Sequence, residues 1–308
     1  MIIWPIRQMG QLLSDMARAS VSISRIYEVL DLPEEDYDYG IKNVSFSEKI
    51  EFKNVSLKIN NNTEIFFILC TLLKFFISLN YNLIFYLRNS GESLGIIGST
   101  GSGKSMVVYL LLGFFEATSG EILIDGINIK EINKRYIREK ISAIMQDSEL
   151  FNMSILDNIK IVNDDIDESS VYNATEISSI HSEIMNFSSK YKTIVVDNGV
   201  NLSGGQKQRI SIARGLLKPF EVLILDDSLS AVDMNTDLKI NNALKSMDRK
   251  FTIIISHRIS TIANCDNIIV MDDGKIVESG KHNELIKKNG MYSKINEIQS
   301  KEYDVNNE

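Results

Sequence analysis

Residues 98–105 read Gly98-Ser99-Thr100-Gly101-Ser102-Gly103-Lys104-Ser105, an instance of G-x-x-x-x-G-K-[ST]. The short apolar run Ser93–Ile97 precedes it, and an apolar stretch with helical character, Ser105–Phe115, follows. That context is what the motif needs: a strand, a glycine-rich turn and a helix start. Glycines permit backbone angles and close approaches that a Cβ would block. Successive N–H groups can then point at phosphate oxygens, at the positive end of a helix. Lys104 would neutralise the β and γ phosphates, and the Ser105 hydroxyl would bind Mg²⁺. Such a loop fixes much of the fold, because the strand that feeds it must sit inside a sheet covered by helices.

The rest of the chain agrees with that demand. Ile141–Met145, Val222–Leu225 and Phe251–Ile255 are short runs, apolar except at Ser142 and Thr252, as expected of strands buried on both faces. They alternate with helical patterns, which predicts an α/β fold with a largely parallel sheet. Asp125-Gly126 and Asp273-Gly274 each sit between apolar runs and mark two hairpins. The Val222–Leu225 run ends in Asp226, whose carboxylate would be aimed at a metal. Taken alone, Asp226 reads better as a helix N-cap; beside the phosphate loop the metal reading takes precedence. Net charge is −8, so no electrostatic footprint for nucleic acid is present. Cys70 and Cys265 form neither a disulfide framework nor a metal-binding pair. Residues 6–30 have mixed three- and four-residue apolar spacing, which predicts a helix ending before Pro33. Ile65–Leu87 is almost wholly apolar and long enough to cross a bilayer, although Lys74, Asn80 and Asn82 interrupt it.

Leu202-Ser203-Gly204-Gly205-Gln206, followed by Lys207-Gln208-Arg209-Ile210-Ser211-Ile212-Ala213-Arg214, resembles the signature motif of ABC ATPases. The resemblance covers about residues 41–295. It implies the ABC-type nucleotide-binding fold of the P-loop NTPases: a RecA-like parallel-sheet core, an antiparallel β subdomain and a helical subdomain. It also implies that two such domains pack head to tail with two ATPs between them. The signature of one would then meet the γ-phosphate held by the other. Gln146 matches the loop glutamine that senses the γ-phosphate and binds Mg²⁺ through water. Ser230-Ala231-Val232-Asp233 resembles the loop that crosses the dimer interface, and His257 matches the switch histidine. Under this reading Asp227, His257 and Gln146 carry catalysis. The phosphate loop, Asp226, Asp233 and the signature bind ATP, and Ser105, Gln146 and Asp226 hold Mg²⁺. His181 and His282 have no such context and read as surface residues.

The segment Met1–Leu32 is similar to the cytoplasmic end of the last transmembrane helix of exporter half-transporters. The resemblance therefore implies a truncated N-terminus, a transmembrane domain as partner, and a place at the cytoplasmic face of a membrane. The expected layout is a transmembrane-helix end at 1–32, a linker at 33–48, the ATP-binding domain at 49–295 and a polar tail at 296–308. Three departures from the family stand out. Asp227 occupies the position of the usual catalytic Glu, which implies slow hydrolysis and resembles the degenerate-site subunit of heterodimeric exporters. Val196 and Asp197 replace the usual Gly and Glu. Ile59 replaces the aromatic that stacks on adenine, with residues 66–80 reading as an apolar insertion. Hydropathy alone allows a span at 65–87, whereas the family fold needs residues 41–60 and the phosphate loop in one domain. The expected function is an ATPase subunit that powers export. Alternatives are a catalytically impaired regulatory subunit, a soluble ABC ATPase and a non-functional fragment.

Overall fold

The computed structural model describes residues 3–32, 35, 39–57, 83–87, 91–163, 165–247 and 251–307. The chain divides into two compact units, Met1–Asp38 and Tyr39–Glu308. The first holds one helix, Ile3–Leu30. Met9, Leu12, Leu13, Met16, Val21, Ile23 and Ile26 are all exposed on it. Charges at Arg7, Asp15, Arg18, Arg25 and Glu28 interrupt its apolar positions. Among the described residues no helix is long and apolar enough to cross a membrane.

The second unit is built on two sheets. The strands in chain order are β1 (Ile50–Ser56), β2 (Leu83–Leu87), β3 (Glu92–Gly98), β4 (Ser119–Ile124), β5 (Ile127–Asn128), β6 (Ile141–Ile144), β7 (Val222–Asp226), β8 (Phe251–Ile255), β9 (Asn267–Asp272) and β10 (Lys275–Gly280). The larger sheet has the order β10-β9-β3-β8-β7-β6. Its pairs β6–β7, β7–β8, β8–β3 and β3–β9 are parallel, and β10 closes the edge antiparallel to β9. The smaller sheet, β2-β1-β4-β5, is antiparallel throughout.

Continuous apolar runs follow from burial on both faces of the larger sheet. On β7, Val222 and Ile224 join a core shared with the smaller sheet and the helix Lys104–Leu111. Leu223 and Leu225 point the other way, into a core shared with the helix Gly204–Leu217 and the helical segment Ile155–Tyr191. Both hairpins form as their sequences predict: Asp125, Gly126, Asp273 and Gly274 all have positive φ, as a two-residue I′ turn requires.

Three segments add detail to the expected layout. The stretch expected to be a linker is structured from Tyr39 onward: Val44 and Phe46 are buried in the core, and Ile41 bridges Ile132. A short run such as Asn43-Val44-Ser45-Phe46-Ser47 carries too few apolar residues to announce its burial. The expected polar tail is helical, lying within Met291–Asn307. The apolar stretch 65–87 ends in β2, which pairs with β1. Its residues 65–82, with Ile59 and the expected insertion at 66–80, lie outside the described residues.

Candidate functional site

The phosphate loop leaves the C-terminal end of β3, where an open parallel sheet leaves room for a ligand. A Cβ on Gly98 would lie 2.0 Å from the Met271 carbonyl oxygen, so only glycine fits there. Gly101 and Gly103 have φ of 82° and 93°, which turn the loop into the helix start at Lys104. Lys104 is 6% exposed, and its Nζ donates to the carbonyls of Gly98 (3.0 Å) and Ser99 (2.9 Å). Burial lowers its pKa, while the carboxylates of Asp227 and Asp226 hold it up. The Ser102 hydroxyl is buried without a hydrogen-bond partner. A glycine cradle, a buried ammonium and an orphaned hydroxyl at a helix N-terminus suit a phosphate chain.

Asp226 ends β7 and is 3% exposed. A bend and a turn follow it, and it caps no helix. Burial pushes its carboxyl up to about 6; the Ser105 hydroxyl bonded to it and Lys104 oppose that rise, and neighbouring Asp227 adds to it. A serine hydroxyl and a carboxylate in contact are hard oxygen donors of the kind Mg²⁺ takes. Asp227 stands in the left-handed region at φ 46°. Its Oδ2 lies 3.1 Å from His257 Nε2, and its Oδ1 accepts from the His257 backbone N–H at 3.1 Å. Gln146 follows β6 on an exposed bend. The ends of β3, β7 and β8 thus bring Lys104, Ser105, Asp226, Asp227 and His257 together.

A raised carboxyl pKa has a testable consequence for stability. The folded value, about 6, lies above the ordinary aspartate value of 3.8, so the ionised carboxylate destabilises the fold. The stability present below the unfolded pKa is lost as pH rises through the folded one. Asp226→Asn keeps an acceptor for Ser105 and removes that cost. It should stabilise the nucleotide-free chain at neutral pH by on the order of 2 kcal/mol, the scale of a shift of this size in a buried group. The gain over wild type should grow between about pH 4 and 6 and stay flat above. Thermal melts across that range check it; a variant less stable than wild type at pH 7 would contradict burial of the carboxylate as the cause.

The signature occupies a separate helix start. Leu202 is buried, and Ser203 caps the helix Gly204–Leu217. Ser203 and Gln206 form a reciprocal capping box: Gln206 N–H donates to Ser203 Oγ (3.2 Å), and Ser203 N–H to Gln206 Oε1 (2.9 Å). A Cβ on Gly205 would lie 2.9 Å from the Ala231 carbonyl oxygen. Gln208 donates to Ser230 Oγ and accepts from the Ala231 N–H, each at 2.9 Å. Asp233 caps the helix Met234–Lys245 through the Thr236 N–H, and the side-chain hydroxyl and backbone N–H of Thr236 hold its carboxyl below the usual range.

Some partners carry no motif. Glu183 accepts from Gln206 Nε2 (2.9 Å) and Arg209 Nη1 (2.7 Å), which anchors the signature helix. Arg258 donates to the carbonyls of Val232 and Ser230, both at 2.7 Å. His181 and His282 are half-buried rather than surface residues. Each ring places Nδ1 2.8 Å from a tyrosine hydroxyl, Tyr191 and Tyr292 respectively. A loop with three successive positive φ values, Asp197 to Gly199, carries the atypical pair Val196-Asp197. Cys265 is buried.

Residues 82–230 match the family described as ABC transporter. The leukotoxin translocation ATP-binding protein of a Pasteurella haemolytica-like species is 35% identical over 97% of this chain and 40% of its own length. The α-hemolysin translocation ATP-binding protein of Escherichia coli is 34% identical over 97% of this chain and 41% of its own. A solved bacterial Atm1-family ABC exporter with ATP bound superposes with a TM-score of 0.78 at 29% identity, covering 96% of this chain and 50% of that one. The chain therefore spans half or less of the length of these proteins. Since the likeness takes in the phosphate loop, the signature and both sheets, the chain carries an ABC transporter ATP-binding domain of the exporter type.

Proposed function

We propose that this chain is the ATP-hydrolysing arm of an exporter, working at the cytoplasmic face of a membrane with a transmembrane domain of exporter type. The observation that carries the reading is the convergence of a buried lysine, a serine–aspartate pair and an aspartate–histidine pair at adjoining strand ends. Lys104 and the loop N–H groups would bind the phosphates of ATP. Ser105 and Asp226, with Gln146 through water, would hold Mg²⁺, which supplies charge neutralisation when bound. Asp227 would act as the general base, with His257 and Gln146 facing the γ-phosphate.

The base is a weak one. An aspartate is one methylene shorter than glutamate, and a base must come within hydrogen-bond reach of the water it activates. Both oxygens of Asp227 also have partners on His257. These features support slow hydrolysis at this site and pairing with a second half-transporter subunit that carries a full-length base. A catalytically impaired, regulatory nucleotide-binding subunit is the second reading, and the same Asp227–His257 contact favours it. Titration of the chain with Mg-ATP, then single-turnover hydrolysis, separates the two. Binding with measurable turnover supports the first; binding without turnover supports the second. No saturable binding of Mg-ATP would refute both.

A further inference from the structure

The C-terminal helix Met291–Asn307 reaches the switch region through Gln299. Its start is fixed: the Glu278 carboxylate on β10 accepts from the backbone N–H groups of Met291 and Tyr292. Tyr292 is fully buried, and Ile295 packs on the core one turn later. Gln299 lies seven residues beyond Tyr292, so it continues the same face. Its amide spans the loop that follows β8. Nε2 donates to the His257 carbonyl at 2.7 Å, and Oε1 accepts from the Ile259 N–H at 2.9 Å.

Both contacts fill needs the loop cannot meet locally. The short helix Ile259–Ile262 has Arg258 at its N-cap with no side-chain cap, and Ile259 is buried. Its first N–H is an orphan donor that Gln299 satisfies from forty residues away. The His257 peptide is held at its other end too, since its N–H donates to Asp227 Oδ1. Arg258, next along, is tied to the carbonyls of Ser230 and Val232. His257 is thus fixed between the base position on one side and the C-terminal helix on the other.

We infer that Gln299 is a positioning residue for His257, through which the C-terminal helix sets the geometry of the phosphate site. The inference rests on the reading of that site as an ATPase centre. With both amide bonds in place, the imidazole stays against Asp227. Without them the peptide 257–259 loses its fixed orientation, and the ring drifts from the reacting phosphate.

The full chain contains three histidines, so their ring protons can be followed separately by NMR. In Gln299→Leu the His257 ring signal should shift or broaden, while His181 and His282 keep theirs. Turnover should fall about tenfold at nearly unchanged KM, since modest misplacement of a reacting group acts on the chemical step. Should Gln299→Leu fail to fold, Gln299→Glu gives the same reading. It keeps the acceptor for Ile259 and loses the donor to His257. A His257 signal identical to wild type, or an unchanged kcat, would overturn the inference. A wild-type chain without turnover would instead sink the ATPase reading, and the ring signals would still decide whether Gln299 positions His257.

Discussion

Lys104→Met should weaken Mg-ATP binding by about 100-fold or more, because a desolvated ammonium makes charge-assisted bonds worth about 1.5–3 kcal/mol each. Methionine fills a similar volume, so the apolar stem still packs while the charge and its donors vanish. The site makes the loss severe. Lys104 is the cation placed against two nearly buried carboxylates, and both favour its charged form. Removing it leaves Asp226 and Asp227 facing incoming phosphate without the lysine charge between them. Asp226 also loses one of the two influences that lower its pKa. Calorimetric titration at fixed Mg²⁺ measures the effect. Affinity within twofold of wild type would mean that residues 98–105 do not hold the phosphates.

Legibility in the sequence tracked how local each feature is. The phosphate loop needs only eight consecutive residues, so strand β3, the loop and the helix after it could be read directly. The mainly apolar runs of β7 and β8 announced burial on both faces, with Thr252 and the terminal Asp226 as the polar exceptions. Asp-Gly pairs announced two hairpins through turn chemistry alone. Other features are set by partners remote in sequence. Val44 and Phe46 look like linker residues until β1 and its neighbours cover them. Glu183 anchors a signature helix more than twenty residues away, and Gln299 meets a loop forty residues upstream. No spacing rule links such pairs. His181 and His282 read as bland surface positions because their tyrosine partners follow at an interval with no recognised meaning. Hydropathy treated Ile65–Leu87 as one apolar segment, although its last five residues are a strand of the smaller sheet. Summed apolarity does not say whether the hydrogen-bond partners of a segment lie inside it or beside it.

Ser203→Arg should cost far more turnover than Asp227→Asn in the assembled transporter. The two residues lie in one chain but serve different ATP sites of the proposed head-to-tail pair. Asp227 would serve the ATP bound by this chain. Ser203 would complete the ATP site on the partner. Asparagine at 227 keeps the shape of the carboxylate, with an oxygen for the His257 N–H. It removes a base that was already short of reach. If the partner carries the competent site, the loss should stay within about threefold, well under the 10²–10⁴-fold that a well-placed base supplies. Arginine at 203 acts differently. It destroys the capping box with Gln206, a loss of about 1 kcal/mol in helix stability. It also places a bulky side chain at the helix start that would face the partner's γ-phosphate. Gly205, tight against the Ala231 carbonyl, leaves the helix little freedom to move aside. Turnover should then fall by about 100-fold or more, as when a donor to a developing oxyanion is removed. Steady-state ATPase assays on the reconstituted pair, one variant at a time, measure both. In a homodimer the order would change, because Asp227→Asn would strip the base from both sites and abolish turnover. An Asp227→Asn complex as inactive as Ser203→Arg would therefore eliminate the heterodimer with one slow and one competent site.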